Sequence, residues 1–341
     1  MKARQGVAPI RFGLIGTGPL GRAHAQTVMA SEEAELLATA GPGPDTGLAP
    51  HSDDPMSVLL RADLDALIYA GPVSEAARYV SAGLGRRLHV FCATPPGSGM
   101  ADVMELREAE AATPGRVLWF SMPWRFHGSV LAARAQLSAA PLGRLLTARA
   151  LVAKYRPPKG AGGGILFERG LPMLDLMQSF TGPFEEVHAL FGQGVWTGAP
   201  GEDDALALMR THDGILAQLH ASASWARETF RLELGFEQGY LWLDGLTGEG
   251  GSLAPEVLVI GRPGRAESGQ LLANPEEDVY HFEDDIAPAL ELAEFLAAVT
   301  GRAAQTAGTS QQAFDAMNLV QRLYAADRAW PAAAQPRRAA E

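Results

Sequence analysis

The chain is short of the features that define several large protein classes. Cys92 is the only cysteine among 341 residues, so an intrachain disulfide and a cysteine-ligated metal cluster are both excluded. No apolar run reaches the ~18 residues that a membrane-spanning helix needs. The first nine residues carry charges but lack the apolar segment of a secretory signal. We therefore expect a cytoplasmic protein with no membrane partner.

Basic residues are also scarce. The chain has 28 Lys+Arg against 39 Asp+Glu, a formal net charge of −11. An acidic chain repels phosphate backbones, and no Lys/Arg-rich patch with interleaved aromatic residues occurs, so we expect no nucleic-acid partner. No spacing of His, Asp and Glu indicates a metal site. The remaining composition, 47% hydrophobic and 20% charged, is typical of a globular protein, and the length suits two domains.

The first third of the chain alternates short apolar runs with helical segments. The runs predict strands at 10–15, 35–40, 66–70, 89–92 and 117–121. The segments between them predict helices at 20–29, after an Asp54 cap, from a Ser74 cap to about residue 84, and at 100–112. Such alternation is typical of a parallel sheet covered by helices on both faces.

After about residue 125 the pattern changes to longer strands joined by glycine turns such as Asp213-Gly214. Strands are predicted at 145–155, 186–191, 205–211, 215–223, 230–236 and 240–243, and helices at 129–138, 169–180, 287–299 and 310–326, the last capped by Ser310. We therefore predict an α/β Rossmann N-terminal domain over 1–124. An α+β C-terminal domain with an open, mainly antiparallel sheet follows over 125–330. We also expect the helix 310–326 to pack back on the first domain and 331–341 to form a flexible tail.

The segment after the first strand fits the pattern G-x-G-x-x-G. It consists of Gly16, Thr17, Gly18, Pro19, Leu20 and Gly21. In this pattern the first glycine allows a tight turn, the second admits a pyrophosphate, and the third lets helix and strand pack closely. The helix start adds free N–H groups, so the turn predicts binding of NAD or NADP. The alternative is a glycine turn that no longer binds a nucleotide.

The acid that usually follows the second strand and binds the ribose is missing from this sequence. Its position is Gly41, with Asp45 in the following loop as a substitute or simply as a solvated residue.

Several segments together resemble the glucose–fructose oxidoreductase / inositol dehydrogenase (Gfo/Idh/MocA) family. The likeness covers about residues 9–328. It is carried by IRFGLIGTGPLGRAHA from Ile10 on, LHVFCATPP at 88–96, WRFHGSV at 124–130, GGGILFERGLPMLDLMQSFTG at 162–182 and EDDALALMRTHDGILAQLHAS at 202–222. The resemblance implies an NAD(P)-dependent dehydrogenase or reductase of sugars, polyols or related compounds. It also implies a homodimer formed through the C-terminal sheet.

The chain departs from that family at the positions that move protons. The family's Glu-Lys-Pro reads Ala93-Thr94-Pro95, so its lysine is Thr94. In the family's Asp-x-Gly-x-His-x-x-Asp pattern, the first aspartate is Glu168 and the histidine is Pro172. The family's Thr-Pro-Asn segment beside the nicotinamide reads Gly71-Pro72-Val73. The resemblance thus assigns Gly71, Pro72, Thr94 and Pro95 to the cofactor site alongside the glycine turn.

Four residues are candidates to replace the missing catalytic groups. Glu168 occupies an acid position where burial could raise its pKa, or it stabilises a helix start. His127 is a candidate acid/base group, or a core or solvated histidine. Lys154 and Tyr155 end a strand that could face the substrate, where Tyr155 could donate a proton, or both are rim residues.

Two hypotheses follow for the function. The first is an NAD(P)-dependent oxidoreductase of a small sugar-like or carbonyl substrate, with an atypical acid/base set. The second is a non-catalytic binding or assembly protein on the same scaffold, with weak or lost nucleotide binding.

Overall fold

The computed structural model describes residues 8–330 apart from 42, 44, 46, 94, 140, 160–162, 248–254, 267 and 272. The described chain divides into two compact units. The first comprises residues 8–122 and 288–314, and the second comprises 123–287 and 315–330. The tail at 331–341, which the sequence predicts to be flexible, lies outside the described residues.

The first unit contains a six-stranded parallel sheet. Its strands are β1 (Ile10–Ile15), β2 (Ala34–Ala40), β3 (His51–Ser52), β4 (Ala66–Tyr69), β5 (His89–Cys92) and β6 (Leu118–Phe120). They lie in the order β3-β2-β1-β4-β5-β6, and every described pair is parallel. This is the Rossmann order, in which the chain reverses direction across the sheet between β1 and β4. Ligands bind outside the carboxyl ends of the strands at such a point.

Helices follow the strands of this unit as the sequence predicts. They are α1 (Pro19–Met29), α2 (Met56–Leu59), α3 (Ala76–Gly85) and α4 (Met100–Ala111), and α7 (Ala287–Val299) returns to the same unit from Pro288 on. Phe295 of α7 packs edge-on against Phe91 and Trp119. Glu291, also on α7, is buried and accepts hydrogen bonds from Ser121 Oγ at 2.8 Å and Met122 N at 2.6 Å. Helix α7 is therefore part of the core of the first unit.

The second unit is built on an eight-stranded sheet. Its strands are β7 (Leu145–Tyr155), β8 (Phe184–Gly192), β9 (Asp204–Thr211), β10 (Leu216–Ser222), β11 (Ser224–Phe236), β12 (Gly239–Asp244), β13 (Glu256–Arg262) and β14 (Glu276–Phe282). The order is β14-β13-β12-β11-β7-β10-β9-β8. Among the described strands of this sheet, β7 and β10 pair in parallel and the other neighbours are antiparallel. The predicted fold class is confirmed for both units.

One face of this sheet is covered and the other is open. Along β9 the buried residues Ala205, Ala207 and Met209 alternate with the exposed Leu206 and Leu208. Because side chains alternate between the two faces of a strand, the pattern assigns opposite faces to these sets. The helices of the unit are α5 (Gly128–Ala139), α6 (Leu171–Thr181) and α8 (Ser310–Ala326), of which the first turn belongs to the first unit. Helix α6 packs against β7.

Two of the predicted helix caps are wrong. Ser74 lies inside a 3-10 turn (Val73–Glu75), and α3 begins only at Ala76 without a side-chain cap. At α8 the cap is Thr309, whose Oγ1 accepts a hydrogen bond from Gln312 N at 3.1 Å while Gln312 Oε1 accepts one from Thr309 N. This reciprocal pair is a capping box. At α8 the predicted cap, Ser310, is therefore one residue away from the actual cap, Thr309.

Candidate functional site

The turn after β1 is held by glycines at its first and last positions. Gly16 has φ +103°, and a Cβ there would lie 2.4 Å from the backbone of Ala70. A Cβ on Gly21 would lie 1.7 Å from the carbonyl oxygen of Gly16. Gly16 N also donates a hydrogen bond to Ala40 O at 2.7 Å, which ties the turn to the end of β2. The fold itself therefore requires these two glycines.

The fold gives no comparable reason for a glycine at the middle position, Gly18. Gly18 has φ −64°, which any residue adopts, and a Cβ placed there would meet no atom within 4 Å. Helix α1 begins beside it with Pro19 in its first turn and no side-chain cap. The turn therefore presents uncapped backbone N–H groups next to open space, which is the arrangement that binds a pyrophosphate.

Thr17 adds an unsatisfied group to the turn. It is 2% exposed, and its buried Oγ1 has no hydrogen-bond partner among the described residues. A Cβ on Gly43, in the loop after β2, would lie 2.6 Å from this oxygen, so the loop folds back against the turn. Buried hydroxyls are normally paired. A ligand oxygen at the turn would satisfy Thr17, so the residues present fit a dinucleotide.

The loop after β4 lies against the same turn. Tyr69 donates a hydrogen bond from its hydroxyl to Pro72 O at 2.6 Å, and a Cβ on Gly71 would lie 2.9 Å from that hydroxyl. The ring of Tyr69 thus fixes the course of Gly71 and Pro72. Of the two remaining predicted cofactor residues, Pro95 lies three positions beyond β5, and Thr94 is outside the described residues.

In the second unit, Lys154 and Glu168 form an ion pair. Lys154 Nζ donates to Glu168 Oε1, and Lys159 N donates to Glu168 Oε2 at 3.0 Å. The Lys154 side chain is 5% exposed and that of Glu168 is 24% exposed. Sequence reasoning identified both residues, but it did not predict that they would contact each other.

The pKa values of this pair differ from expectation. Burial alone would raise the pKa of Glu168, but the hydrogen bonds from Lys154 and Lys159 N outweigh it and hold that pKa below its ordinary value. The expected raised pKa of Glu168 is therefore wrong. Burial lowers the pKa of Lys154 despite the neighbouring carboxylate. Lys154, and not Glu168, is thus the member of the pair whose pKa moves toward neutrality.

Glu168 lies in a π-helical turn (Leu166–Gly170) that precedes α6. The sequence predicted an α-helix from residue 169, and the difference has a local cause. Pro172 has no N–H, and its ring crowds the carbonyl group four residues earlier, which is that of Glu168. The turn is anchored by the fully buried Glu202, which accepts hydrogen bonds from Leu166 N at 2.8 Å and Tyr324 Oη at 2.8 Å. Burial raises the pKa of Glu202.

Tyr155 does not share the environment of Lys154. The residues Ala148, Ala150, Val152 and Lys154 are buried at every second position of β7, so they occupy the covered face. Tyr155 projects from the opposite face, is 50% exposed, and packs against Trp196 with ring centroids 5.3 Å apart. The expectation that both residues end the strand in one site is therefore wrong.

His127 lies within hydrogen-bond distance of a buried carboxylate. Its Nδ1 lies 3.1 Å from Glu256 Oε2, and Glu256 also accepts hydrogen bonds from Ser129 N at 2.7 Å and Thr247 N at 3.0 Å. Burial opposes ionisation of Glu256, but these hydrogen bonds lower its pKa to about 2. The arrangement gives His127 a structural role. Sequence reasoning did not find Glu256, which lies 129 positions away.

A second buried pair joins Arg125 to Asp175, the last aspartate of the family pattern. Arg125 donates from Nε at 2.7 Å and from Nη2 at 2.5 Å, a two-bond geometry that fixes both groups. Asp175 is 4% exposed, and burial raises its pKa against the pull of Arg125. Neither residue was predicted as a site residue.

Two further observations concern the part of the chain that the structure describes. No helix there is both long and apolar enough to cross a bilayer. Nor do three or more His, Cys, Asp or Glu side chains come together there as a metal-binding group.

Comparison with known proteins relates this chain to inositol dehydrogenases. A model of the GFO/IDH/MocA C-terminal domain matches residues 130–242. Inositol 2-dehydrogenase of Acidothermus cellulolyticus is 25% identical over 262 residues, which cover 72% of this chain and 72% of that protein. A second relative, inositol 2-dehydrogenase 2 of Paenarthrobacter aurescens, is 26% identical over 247 residues, 68% of this chain and 74% of that protein.

Solved structures share the fold at lower identity. A 3-ketoreductase from Actinomadura kijaniata, in complex with TDP-benzene and NADP, superposes with a TM-score of 0.75 at 21% identity over 93% of this chain and 97% of that one. Levoglucosan dehydrogenase in complex with NADH has a TM-score of 0.79 at 14% identity, covering 93% of this chain and 96% of that one. At these identities the likeness shows the fold alone.

Proposed function

We propose that this chain is a member of the Gfo/Idh/MocA family and an NAD(P)-dependent oxidoreductase of a small sugar-like or carbonyl substrate, as its similarity to the C-terminal domain model and to inositol dehydrogenases supports. The observation that carries the proposal is the open space at Gly18, a glycine that the fold does not need. A glycine at a position where the fold does not require one is consistent with close approach of a pyrophosphate.

The first unit holds the cofactor. The N–H groups of Leu20 and Gly21 in the first turn of α1 bind the phosphates, and the orphaned hydroxyl of Thr17 gains a partner. The segments containing Gly71, Pro72, Thr94 and Pro95 complete the site, as the family resemblance implies. When bound, the nicotinamide accepts or donates a hydride.

Lys154 supplies the proton. Lys154, whose pKa burial lowers, donates a proton to a carbonyl oxygen in reduction and accepts the hydroxyl proton in oxidation. Glu168 stays ionised, since its pKa is lowered, and holds the ammonium group in place. This assignment replaces the family's lysine, which is Thr94 here, and its histidine, which is Pro172. Tyr155 and His127 are not part of the proposed pair.

A binding or assembly protein without turnover is the second candidate. It is favoured by the loss of the family's lysine and histidine at Thr94 and Pro172. Nucleotide binding and hydride transfer must therefore be measured separately.

Binding is tested by titrating NADH and NADPH into the wild-type protein and the Gly18→Trp variant, with calorimetry or cofactor fluorescence. We expect the wild type to bind and the indole of Gly18→Trp to fill the pyrophosphate position and abolish binding. Gly85→Trp is the matched control, because a Cβ at Gly85 also meets no atom within 4 Å and the residue lies at the end of α3. No binding to the wild type at millimolar cofactor would refute the proposal.

Turnover is tested by following the nicotinamide absorbance with a panel of polyols, sugars and keto sugars. We expect Lys154→Met to lower kcat by about 10²- to 10⁴-fold, the range of acid–base catalysis. NADH affinity should be unchanged, because the proposal assigns Lys154 to proton transfer and not to cofactor binding. Wild-type protein that binds NADH but transfers no hydride to any panel member would favour the binding protein instead.

We also propose that the chain forms a homodimer through the open face of the eight-stranded sheet. The strand registers define a row of neighbouring residues that crosses this face. It contains the exposed Leu208, Trp242 and Val279, and the positions between them are occupied by Gln218, Arg149, Glu233 and Val259. A second row contains the exposed Leu190 and Leu206. Large exposed apolar patches mark interaction surfaces. Light scattering should give twice the 36.1 kDa chain mass, and a monomer would refute the dimer.

A further inference from the structure

Resting on the proposed function, we infer that the adenosine end of this site accepts a free 2′-hydroxyl and disfavours a 2′-phosphate, so that the protein uses NAD(H) rather than NADP(H). The inference rests on the described side chains near the ends of β2 and β3, above all those of Asp45 and Asp53.

The residue at the usual ribose position cannot carry a side chain here. Gly41 follows β2 with φ +128°, and a Cβ there would lie 3.3 Å from Gly16 N. Its N–H donates to Ser52 O at 3.0 Å, which brings the end of β3 alongside. The next residue, Asp53, has a carboxylate that is 94% exposed. The acid at this edge of the sheet is thus offered by the neighbouring strand.

The loop after β2 supplies a second acid. Gly43 lies against Thr17, and two residues later Asp45 is exposed, with its Oδ1 accepting a hydrogen bond from Gly47 N at 2.9 Å. The unpartnered, 2%-exposed Thr17 beneath this loop is an independent sign of a missing ligand. On the inference, Asp45 and Asp53 are the acids that would face the ribose.

The segment 34–60, which contains both acids, has no lysine or arginine. Its one histidine, His51, has its Nε2 3.8 Å from Asp53 Oδ1, which is beyond hydrogen-bond distance. The nearest arginine after the segment, Arg61, binds Asp63 at 2.6 Å, and Arg11 on the neighbouring strand β1 binds Asp65 at 2.8 Å. The nearest arginine before the segment is Arg22, an exposed residue of α1.

A ribose hydroxyl can donate a hydrogen bond to a carboxylate. A 2′-phosphate would instead add about two negative charges beside the carboxylates of Asp45 and Asp53. The charge of this edge therefore selects the unphosphorylated cofactor.

The experiment compares dissociation constants for NADH and NADPH by calorimetry at low salt. We expect NADPH to bind at least about tenfold more weakly, a difference of about 1.4 kcal/mol. The gap should narrow at ~0.5 M salt, which screens exposed charges. The double variant Asp45→Asn with Asp53→Asn should bring the two constants together by strengthening NADPH and weakening NADH. Glu35→Gln is the control, because Glu35 is an exposed acid at the opposite end of β2 and should leave the ratio unchanged.

Equal or tighter binding of NADPH to the wild type would overturn the inference and leave the proposed function standing. Arg22→Ala serves as a second variant, because Arg22 is an exposed cation on α1. If it removed a measured NADPH affinity, Arg22 would be the phosphate partner and the inference would be wrong. Binding of neither cofactor would overturn both proposals.

Discussion

Replacing Glu256 by glutamine should destabilise the second unit in a pH-dependent way. The carboxylate accepts hydrogen bonds from His127, Ser129 N and Thr247 N while fully buried. The amide side chain of Glu256→Gln would keep the shape but turn an NH₂ group toward N–H donors. The interaction that the variant loses is therefore the ionised form of the side chain.

The magnitude follows from the pKa. In the folded protein the pKa of Glu256 is lowered from 4.5 to about 2. Each unit corresponds to about 1.36 kcal/mol, so the lowered pKa contributes about 3 kcal/mol to the free energy of unfolding. Because the folded value is the lower one, this contribution is complete above about pH 5. It is lost progressively as the pH falls from there toward 2.

The test is urea denaturation at pH 7 and at pH 3, which gives the free energy of unfolding at each pH. Hydrogen exchange of the β13 amides provides a local readout. We expect Glu256→Gln to lose about 3 kcal/mol at pH 7 and clearly less at pH 3. The control is Glu283→Gln, an exposed acid in the same unit, which should change little at either pH. Equal losses at the two pH values would show that the ionised carboxylate is not what stabilises this region.

Two other substitutions test separate parts of the second unit. Arg125→Leu leaves the buried Asp175 without its two-bond partner and should lower the free energy of unfolding by about 3–5 kcal/mol in urea denaturation; a loss below about 1 kcal/mol would contradict the role given to the pair. Leu208→Glu places a charge beside the exposed Leu206 on the open face of the sheet and should convert the dimer to a monomer in light scattering. Leu271→Glu, at an exposed leucine outside the strands, should leave the dimer intact.

The elements with strong local signals were predictable from the sequence. The bounds of β7, α7 and α8 agree with the periodicity, and the Gly16–Gly21 turn lies between β1 and α1 as its pattern requires. In contrast, β13 and β14 were missed. β14 begins with Glu276, Glu277 and Asp278, which have low strand propensity and are tolerated because the strand is an exposed edge.

The side-chain pairs around the site could not be predicted from short stretches of sequence. Glu256 and Glu202 are buried by partners more than 100 positions away in the chain, His127 and Tyr324, and no spacing rule links them. The faces of Lys154 and Tyr155 were open to prediction, since adjacent strand residues point to opposite sides. The π-turn at Glu168 follows from Pro172, a cause that is visible in the sequence once the helix is placed.

The most direct test of the account is hydrogen exchange at the turn between β1 and α1. With NADH added, the backbone amides of Leu20 and Gly21 should exchange more slowly in the wild type and at an unchanged rate in Gly18→Trp. Unaltered exchange at these amides in the wild type, at NADH concentrations that saturate binding, would mean that the cofactor is held elsewhere and that the turn is not its phosphate site.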